Sequence, residues 1–202
     1  MKQDFRVVKT TRRIQMALIK MLLHKPFEKV TVTDLIKIAK ISRRSFYVHY
    51  TDKYDLLTKM EQQIIQEIHS SLAEDHQQLK PVTSFKDPQL FKNTEATFQR
   101  ILSVINQHRQ SLAVLLSKNG DYQFKSKIYK LITNEISHRL SDYGAEINTG
   151  IPSDYAQAIF VGSLMDLMTI WIQKKNPEPI SQFSALLTKS RMIAPLELLK
   201  FN

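Results

Sequence analysis

The chain has no cysteine, and only four of its 202 residues are glycine. Without cysteine there are no disulfides and no thiolate metal sites, which fits a reducing cytosol. Nucleophiles would have to be Ser or Thr, yet no Gly-x-Ser-x-Gly occurs, nor a phosphate-cradling glycine loop or a His-x-x-x-His zinc pair, and the six histidines are scattered. No enzyme, no metal and no cofactor is therefore expected. No apolar leader follows Lys2, and no apolar run approaches the roughly 18 residues of a membrane span, so the expectation is a cytoplasmic protein without a membrane partner. Period-two strand patterns and internal repeats are missing as well. Helical periodicity is what remains, and it points to an all-α chain.

Positive charge is unevenly spread. Residues 1–59 hold 14 Lys/Arg against 5 Asp/Glu, whereas residues 60–202 hold 15 against 14, so nearly all of the net +10 lies in the first part. Such asymmetry is the electrostatic footprint of a polyanionic partner. An anionic membrane is the competing partner, but the basic segment is capped and turned rather than one free amphipathic helix.

That segment, Thr31 to Leu57, writes two short helices around a tight turn. Thr31 followed by Asp34 is a capping box, in which the hydroxyl accepts from an orphan amide and the carboxylate reaches back. Leu35, Ile36 and Ala39 form the apolar stripe of the first helix; Ile41 pins the turn, and Ser42 caps a second helix from Arg43 to about Tyr50. At roughly 100° per residue, placing Phe46 inward sends Arg44 and Val48 outward, flanked by Arg43, Tyr47, Ser45 and His49. Arginines can fork onto guanine, Val48 can meet a thymine methyl, and Ser45, Tyr47 and His49 can donate to phosphates. The alternative is an ordinary solvated basic face.

These residues resemble the N-terminal domain of the tetracycline-repressor (TetR) family of bacterial transcriptional regulators. The family pattern is a Thr-opened helix, an Ala before the turn, a Ser/Thr-Phe/Leu-Tyr core, an aromatic, and Asp/Asn-Lys before a Leu. Here those positions are Thr31, Ala39, Ser45-Phe46-Tyr47, Tyr50, Asp52-Lys53 and Leu56-Leu57, and the likeness spans about residues 8 to 60. One position departs: Lys40 stands where the family often has a Gly that tolerates positive φ, so strain is expected there.

The resemblance implies a three-helix helix-turn-helix DNA-binding domain over residues 1–52 and a helical ligand-binding and dimerisation domain over 53–202. It implies a homodimer reading a palindromic operator in double-stranded DNA, repressing by blocking polymerase. A small-molecule effector entering the body would re-angle the fourth helix and separate the readers. Carried over position by position, base contacts fall to Arg43, Arg44, Ser45 and Val48. Phosphate contacts fall to Thr31, Thr33, Ser42, Tyr47, His49 and Lys53, with Arg12 and Arg13 added from the first helix. Lys53 sits at a helix start, where backbone amides already favour phosphate. The rival is an effector-independent regulator or activator controlled by a protein partner. An enclosed pocket of about 300 to 1,000 Å³ separates the two.

The rest of the chain punctuates into helices. Phe5 to Leu23 stops at Lys25-Pro26, and Asp52 with Asp55 opens a long helix to about Leu79. A loop over Pro81 to Pro88 precedes periods at Leu90–Ile105, Ser111–Ser117 and Asp121–Tyr143. Gly120, Gly144, Gly150 and Pro152 mark breaks. The helix Asp154–Lys174 is apolar on more than one face, so it must be buried on two sides, either as a central core helix or against a second copy. As an interface it would use Gly162, Ser163, Leu164, Met165, Met168 and Trp171, pairing with Ile180–Ser190 in a four-helix bundle. Residues 98 to 190 also resemble the C-terminal regulatory domain of Firmicutes members of the family. Facing apolar stripes offer Met60, Ile64, Phe98, Ile105, Phe124, Ile128 and Phe160 as pocket walls, or simply as packed core.

Overall fold

In the computed structural model the described residues are 2–76, 88–142 and 150–191, and among them every regular element is helical. In chain order these are α1 (Lys2–Leu22), a 3₁₀ turn (Phe27–Lys29), α2 (Val32–Ala39), α3 (Arg43–His49), α4 (Lys53–His76), α5 (Pro88–Gln107), α6 (Arg109–Leu115), α7 (Tyr122–Asp142), α8 (Ser153–Gln173) and α9 (Ile180–Ser190). The end of the fourth helix at Leu79, the loop residues Pro81 to Lys86 and the breaks at Tyr143 and Gly144 lie outside the described residues.

Two compact units emerge. The first is Met1–Gln66 with Arg109–Lys127; the second is Glu67–His108 with Ile128–Asn202. The first is discontinuous because α6 and the start of α7 are stitched onto the N-terminal helices. The Asn119 side chain donates to the Leu22 carbonyl at 2.9 Å, and its own carbonyl accepts from Phe27 N at 3.0 Å. These bonds satisfy a carbonyl left over at the end of α1. The next residue has to be glycine, since a Cβ on Gly120 would sit 2.1 Å from the Leu115 carbonyl oxygen. A second tie joins Lys127 Nζ to Glu61 Oε2 at 2.6 Å, with Asp121 at 3.6 Å. Glu61 is 1% exposed, and burial pushes its carboxyl above the usual range, while the neighbouring carboxylate raises Lys127.

The apolar stripe of α1 builds this unit's core: Ile14, Ala17, Leu18, Met21 and Leu22 are buried with Leu35, Phe46 and Leu56. The chain leaves α1 at Pro26, whose fixed φ and missing N–H cannot continue a helix. α4 opens on a working box: Asp52 Oδ1 accepts from the amides of Tyr54 and Asp55, both at 2.8 Å, and Asp55 Oδ2 accepts from Thr51 N at 2.9 Å.

In the second unit α5 packs along α9. The contact carries buried hydroxyls, but each bonds its own helix: Thr97 Oγ1 to Asn93 O, Ser184 Oγ to Ser181 O and Thr188 Oγ1 to Ser184 O. Small side chains with internal partners let the helices approach without orphaned polar groups. Trp171 stacks on Phe183 at 5.0 Å, and its indole N–H donates to the Glu178 carbonyl at 2.9 Å. That closes the α8–α9 turn.

α8 corrects the expectation that no apolar run approaches a membrane span, for Ser153–Gln173 is long and apolar enough by length and composition. Small and polar residues, Gly162, Ser163, Asp166 and Thr169, interrupt the apolar run along the sequence. One side, Val161, Leu164, Met165, Met168, Trp171 and Ile172, is buried within the chain's own core. The other is open: Tyr155 is 64%, Ile159 61% and Ile170 55% exposed.

Candidate functional site

The turn of the helix-turn-helix is built by side-chain caps at both of its helices. Thr31 Oγ1 accepts from Asp34 N, and Ser42 Oγ accepts from Ser45 N, each at 3.1 Å. The expected return leg of the first box goes elsewhere: the Asp34 carboxylate pairs with Lys25 Nζ at 2.9 Å, which holds its pKa below the usual value. Between the helices Lys40 takes φ 52°, ψ 53°, the left-handed region. That conformation costs an L-residue roughly 1–2 kcal/mol. It is held by the Lys40 amide bonding back to α2 and by Arg13 Nη2, which donates to the Lys40 carbonyl at 2.6 Å.

On α3 the inward and outward faces separate sharply. Phe46 is 0% exposed and Val48 72%. Arg43, Arg44 and Tyr47 stand on the exposed side, Ser45 and His49 at its margins. The Arg43 guanidinium lies over the Tyr47 ring, 5.7 Å from its centroid, so two of the outward residues brace each other. His49 Nδ1 lies 3.5 Å from Thr11 Oγ1, which fixes the ring's inner edge toward α1. Tyr50 seals the inner side; burial and the nearby Asp55 push its phenol up to about 12, so it stays neutral. Thr31, Thr33, Ser42, Arg12 and Arg13 are exposed around this face.

Lys53 needs correcting. It is not free for phosphate, because its ammonium donates to three carbonyls, of Glu28 at 2.8 Å, Val30 at 2.9 Å and Phe27 at 3.2 Å. An ammonium has three protons, and all three are committed. The head also lies 4.9 Å from the Phe27 ring centroid and 5.2 Å from that of Tyr54. Lys53 thus clamps the 3₁₀ turn to the start of α4. No local spacing could reveal this, since its partners lie some two dozen residues upstream.

The second unit holds a cavity of about 540 Å³, walled mainly by aliphatic side chains of α4, α5, α7 and α8. Phe98, Ile105, Ile128 and Phe160 line it. Met60, Ile64 and Phe124 do not: they are 4%, 3% and 0% exposed in the core of the first unit. Ile68 and Leu72 take the place of the first two, one to two turns further along α4. Among the α8 residues expected at an interface, Leu164, Met165, Met168 and Trp171 face the chain's own core, and Leu164 and Met168 line the cavity. Gly162 and Ser163 do lie on the open side, beside Tyr155, Ile159, Asp166 and Ile170. Those residues recur at helical spacing, a signal the all-round hydrophobicity of α8 conceals.

A capped helix-turn-helix with a basic outward face, in a chain whose helical body holds an apolar cavity, defines a DNA-binding regulator. A family model described as "Bacterial regulatory proteins, tetR family" matches residues 16–60, and one described as "Transcriptional regulator C-terminal region" matches residues 92–191. The chain belongs to the TetR family of bacterial transcriptional regulators, which are DNA-binding proteins rather than enzymes. An uncharacterized HTH-type transcriptional regulator of Bacillus subtilis, YxbF, is 26% identical over 166 residues, covering 80% of this chain and 40% of that protein. The chain therefore spans about two fifths of the length of the curated relative it matches. In fold it is similar to a TetR transcriptional regulator from Streptococcus agalactiae, with a TM-score of 0.61, 23% identity, and 94% of this chain and 97% of that one covered. It is also similar to the fatty acid degradation regulator FadR from Bacillus halodurans, with a TM-score of 0.55, 12% identity, and 89% and 93% covered.

Proposed function

We propose that this protein is a cytoplasmic repressor that binds a palindromic operator as a homodimer and is released by a small-molecule effector. The observation that carries the DNA reading is the outward face of α3, where Arg43, Arg44 and Val48 stand exposed on a helix fixed by caps and by Phe46. In this reading Arg43, Arg44, Ser45 and Val48 meet base edges, while Thr31, Thr33, Ser42, Tyr47, His49, Arg12 and Arg13 meet the backbone. The first domain closes near residue 52, and the body beyond it receives the effector.

Dimerisation is supported by the open apolar side of α8, with Leu186 of α9 45% exposed as well. An apolar stripe of this kind marks an interaction surface, and two-fold symmetry matches the two half-sites of an operator. The interface residues are Tyr155, Ile159, Gly162, Ser163 and Ile170. The 540 Å³ cavity falls within the range of ligand pockets and favours an effector over control by a protein partner alone.

The test is footprinting on DNA upstream of the protein's own gene, followed by salt titration. If each protomer neutralises about three to five phosphates, affinity falls about 10³ to 10⁵ between 50 and 200 mM salt. A flat salt response, or a chain that sediments as a monomer at micromolar concentration while binding the operator fully, overturns the reading.

A further inference from the structure

The cavity wall carries three ionisable residues, Glu135, Arg139 and Arg191, and two of them neutralise each other. Arg139 Nε donates to Glu135 Oε1 at 2.5 Å, and Arg139 Nη1 to Thr97 Oγ1 at 3.1 Å. Arg191 differs. Its guanidinium donates to neutral oxygens: the Phe160 carbonyl at 2.9 Å, Ser163 Oγ at 3.0 Å, and Ser190 Oγ at 3.2 and 3.3 Å. Among the described residues no carboxylate pairs with it. Its guanidinium lies 5.2 Å from the centroid of the Phe160 ring, itself a cavity wall. Burial lowers its pKa from the ordinary guanidinium value, the direction expected for a cation whose burial no anion compensates, though it stays charged at neutral pH.

An apolar chamber with one uncompensated, geometrically fixed cation selects for a particular ligand chemistry. An apolar neutral ligand would leave the charge desolvated and unpaired, and a cation would be repelled. We propose that the cavity binds an aliphatic anion: a hydrocarbon body against Ile101, Leu131, Ile132 and Leu164, and a single acidic head at Arg191. This deepens the effector reading above and rests on it. The volume agrees, for 540 Å³ holds on the order of 18 water-sized groups at ~30 Å³ each, enough for a ten-carbon chain with its head group. Phe160, Ser163 and Ser190 serve as positioning residues: their oxygens take four of the five guanidinium protons and hold the group in one orientation, which leaves one Nη1 proton for a charge-assisted bond to an oxyanion.

The test is calorimetric titration of the full chain with decanoate, decyl phosphate, decanol and decyltrimethylammonium, each below its aggregation concentration. At least one of the two anions binds roughly ten- to a hundredfold more tightly than decanol, the scale of a charge-assisted contact, and the cation binds no better than decanol. Which anion leads identifies the head as carboxylate or phosphate. In Arg191→Gln the preference collapses while decanol affinity stays, and Arg191→Lys keeps part of it. Equal binding of decanol and both anions, or an undiminished preference in Arg191→Gln, overturns the assignment. Operator binding is measured in parallel on the ligand-free protein. If decanol binds as well as the anions and releases operator DNA, the effector reading stands and the anion falls. If nothing binds whatever its head, both fall while DNA binding remains.

Discussion

Replacing Lys53 by Met keeps the aliphatic stem and removes the ammonium, and it separates two roles that the sequence motif leaves merged. If Lys53 were a phosphate contact, the variant would fold normally, bind all DNA more weakly and show a shallower salt slope. The structure gives a different expectation. Three carbonyls, those of Phe27, Glu28 and Val30, lose their donor. A hydrogen bond to a charged group contributes about 1.5–3 kcal/mol, but Glu28 is exposed and water replaces the lysine there. Phe27 and Val30 are buried, at 5% and 1% exposure, and water reaches their carbonyls less readily. Loss of the contacts with the Phe27 and Tyr54 rings adds about 0.5–1 kcal/mol. The net cost is roughly 2–4 kcal/mol, which for a chain of this length lowers the unfolding midpoint by roughly 4–16 °C. Thermal unfolding followed by circular dichroism gives the first number, and operator binding at several salt concentrations, well below the midpoint, gives the second. A variant as stable as wild type with a salt slope reduced by about one would refute the clamp.

Arg44→Ala costs roughly 1–3 kcal/mol per half-site and relaxes one base position, whereas Tyr47→Phe weakens operator and random DNA alike; competition binding distinguishes them, and equal loss on both DNAs for Arg44→Ala defeats the base-contact assignment. Ile159→Arg, on the open side of α8, gives a helical monomer with weakened operator binding, while Met165→Glu, 3% exposed in the core, unfolds the second unit instead; sedimentation with circular dichroism reads both, and a dimeric Ile159→Arg would count against this interface. Burial raises the Glu61 carboxyl above its ordinary value even beside Lys127, so over the raised range the native state binds more protons than the unfolded one there, and this group's contribution to stability declines as pH rises through that range. Denaturant unfolding of wild type and Glu61→Gln from pH 4 upward should show wild type losing ground to the variant, and a constant difference would contradict the burial argument.

Local chemistry determined the reader. Caps at Thr31, Ser42 and Asp52, the inward Phe46 and the outward Arg44 and Val48 are decided within one or two helical turns, so spacing and rotation angle suffice to place them. Helix bounds after residue 88 were legible for the same reason, because prolines, glycines and period mark them locally. The strained left-handed turn at Lys40 was legible too, from one position where glycine was expected. Tertiary structure alone decided where long side chains end. Lys53 looks like a surface cation at a helix start until carbonyls from two dozen residues upstream take its protons. Asn119 looks like a turn residue until it bonds Leu22, and with it α6 and the start of α7 join the N-terminal helices in one compact unit. On α8, hydrophobicity on every face says that two sides are covered but not by what. Packing assigns Leu164, Met165, Met168 and Trp171 to the chain's own core and leaves Tyr155, Ile159 and Ile170 open. Which of several apolar stripes lines a cavity depends on how helices distant in sequence converge. That is why Met60, Ile64 and Phe124 became core while Ile68, Leu72 and Arg191 became wall.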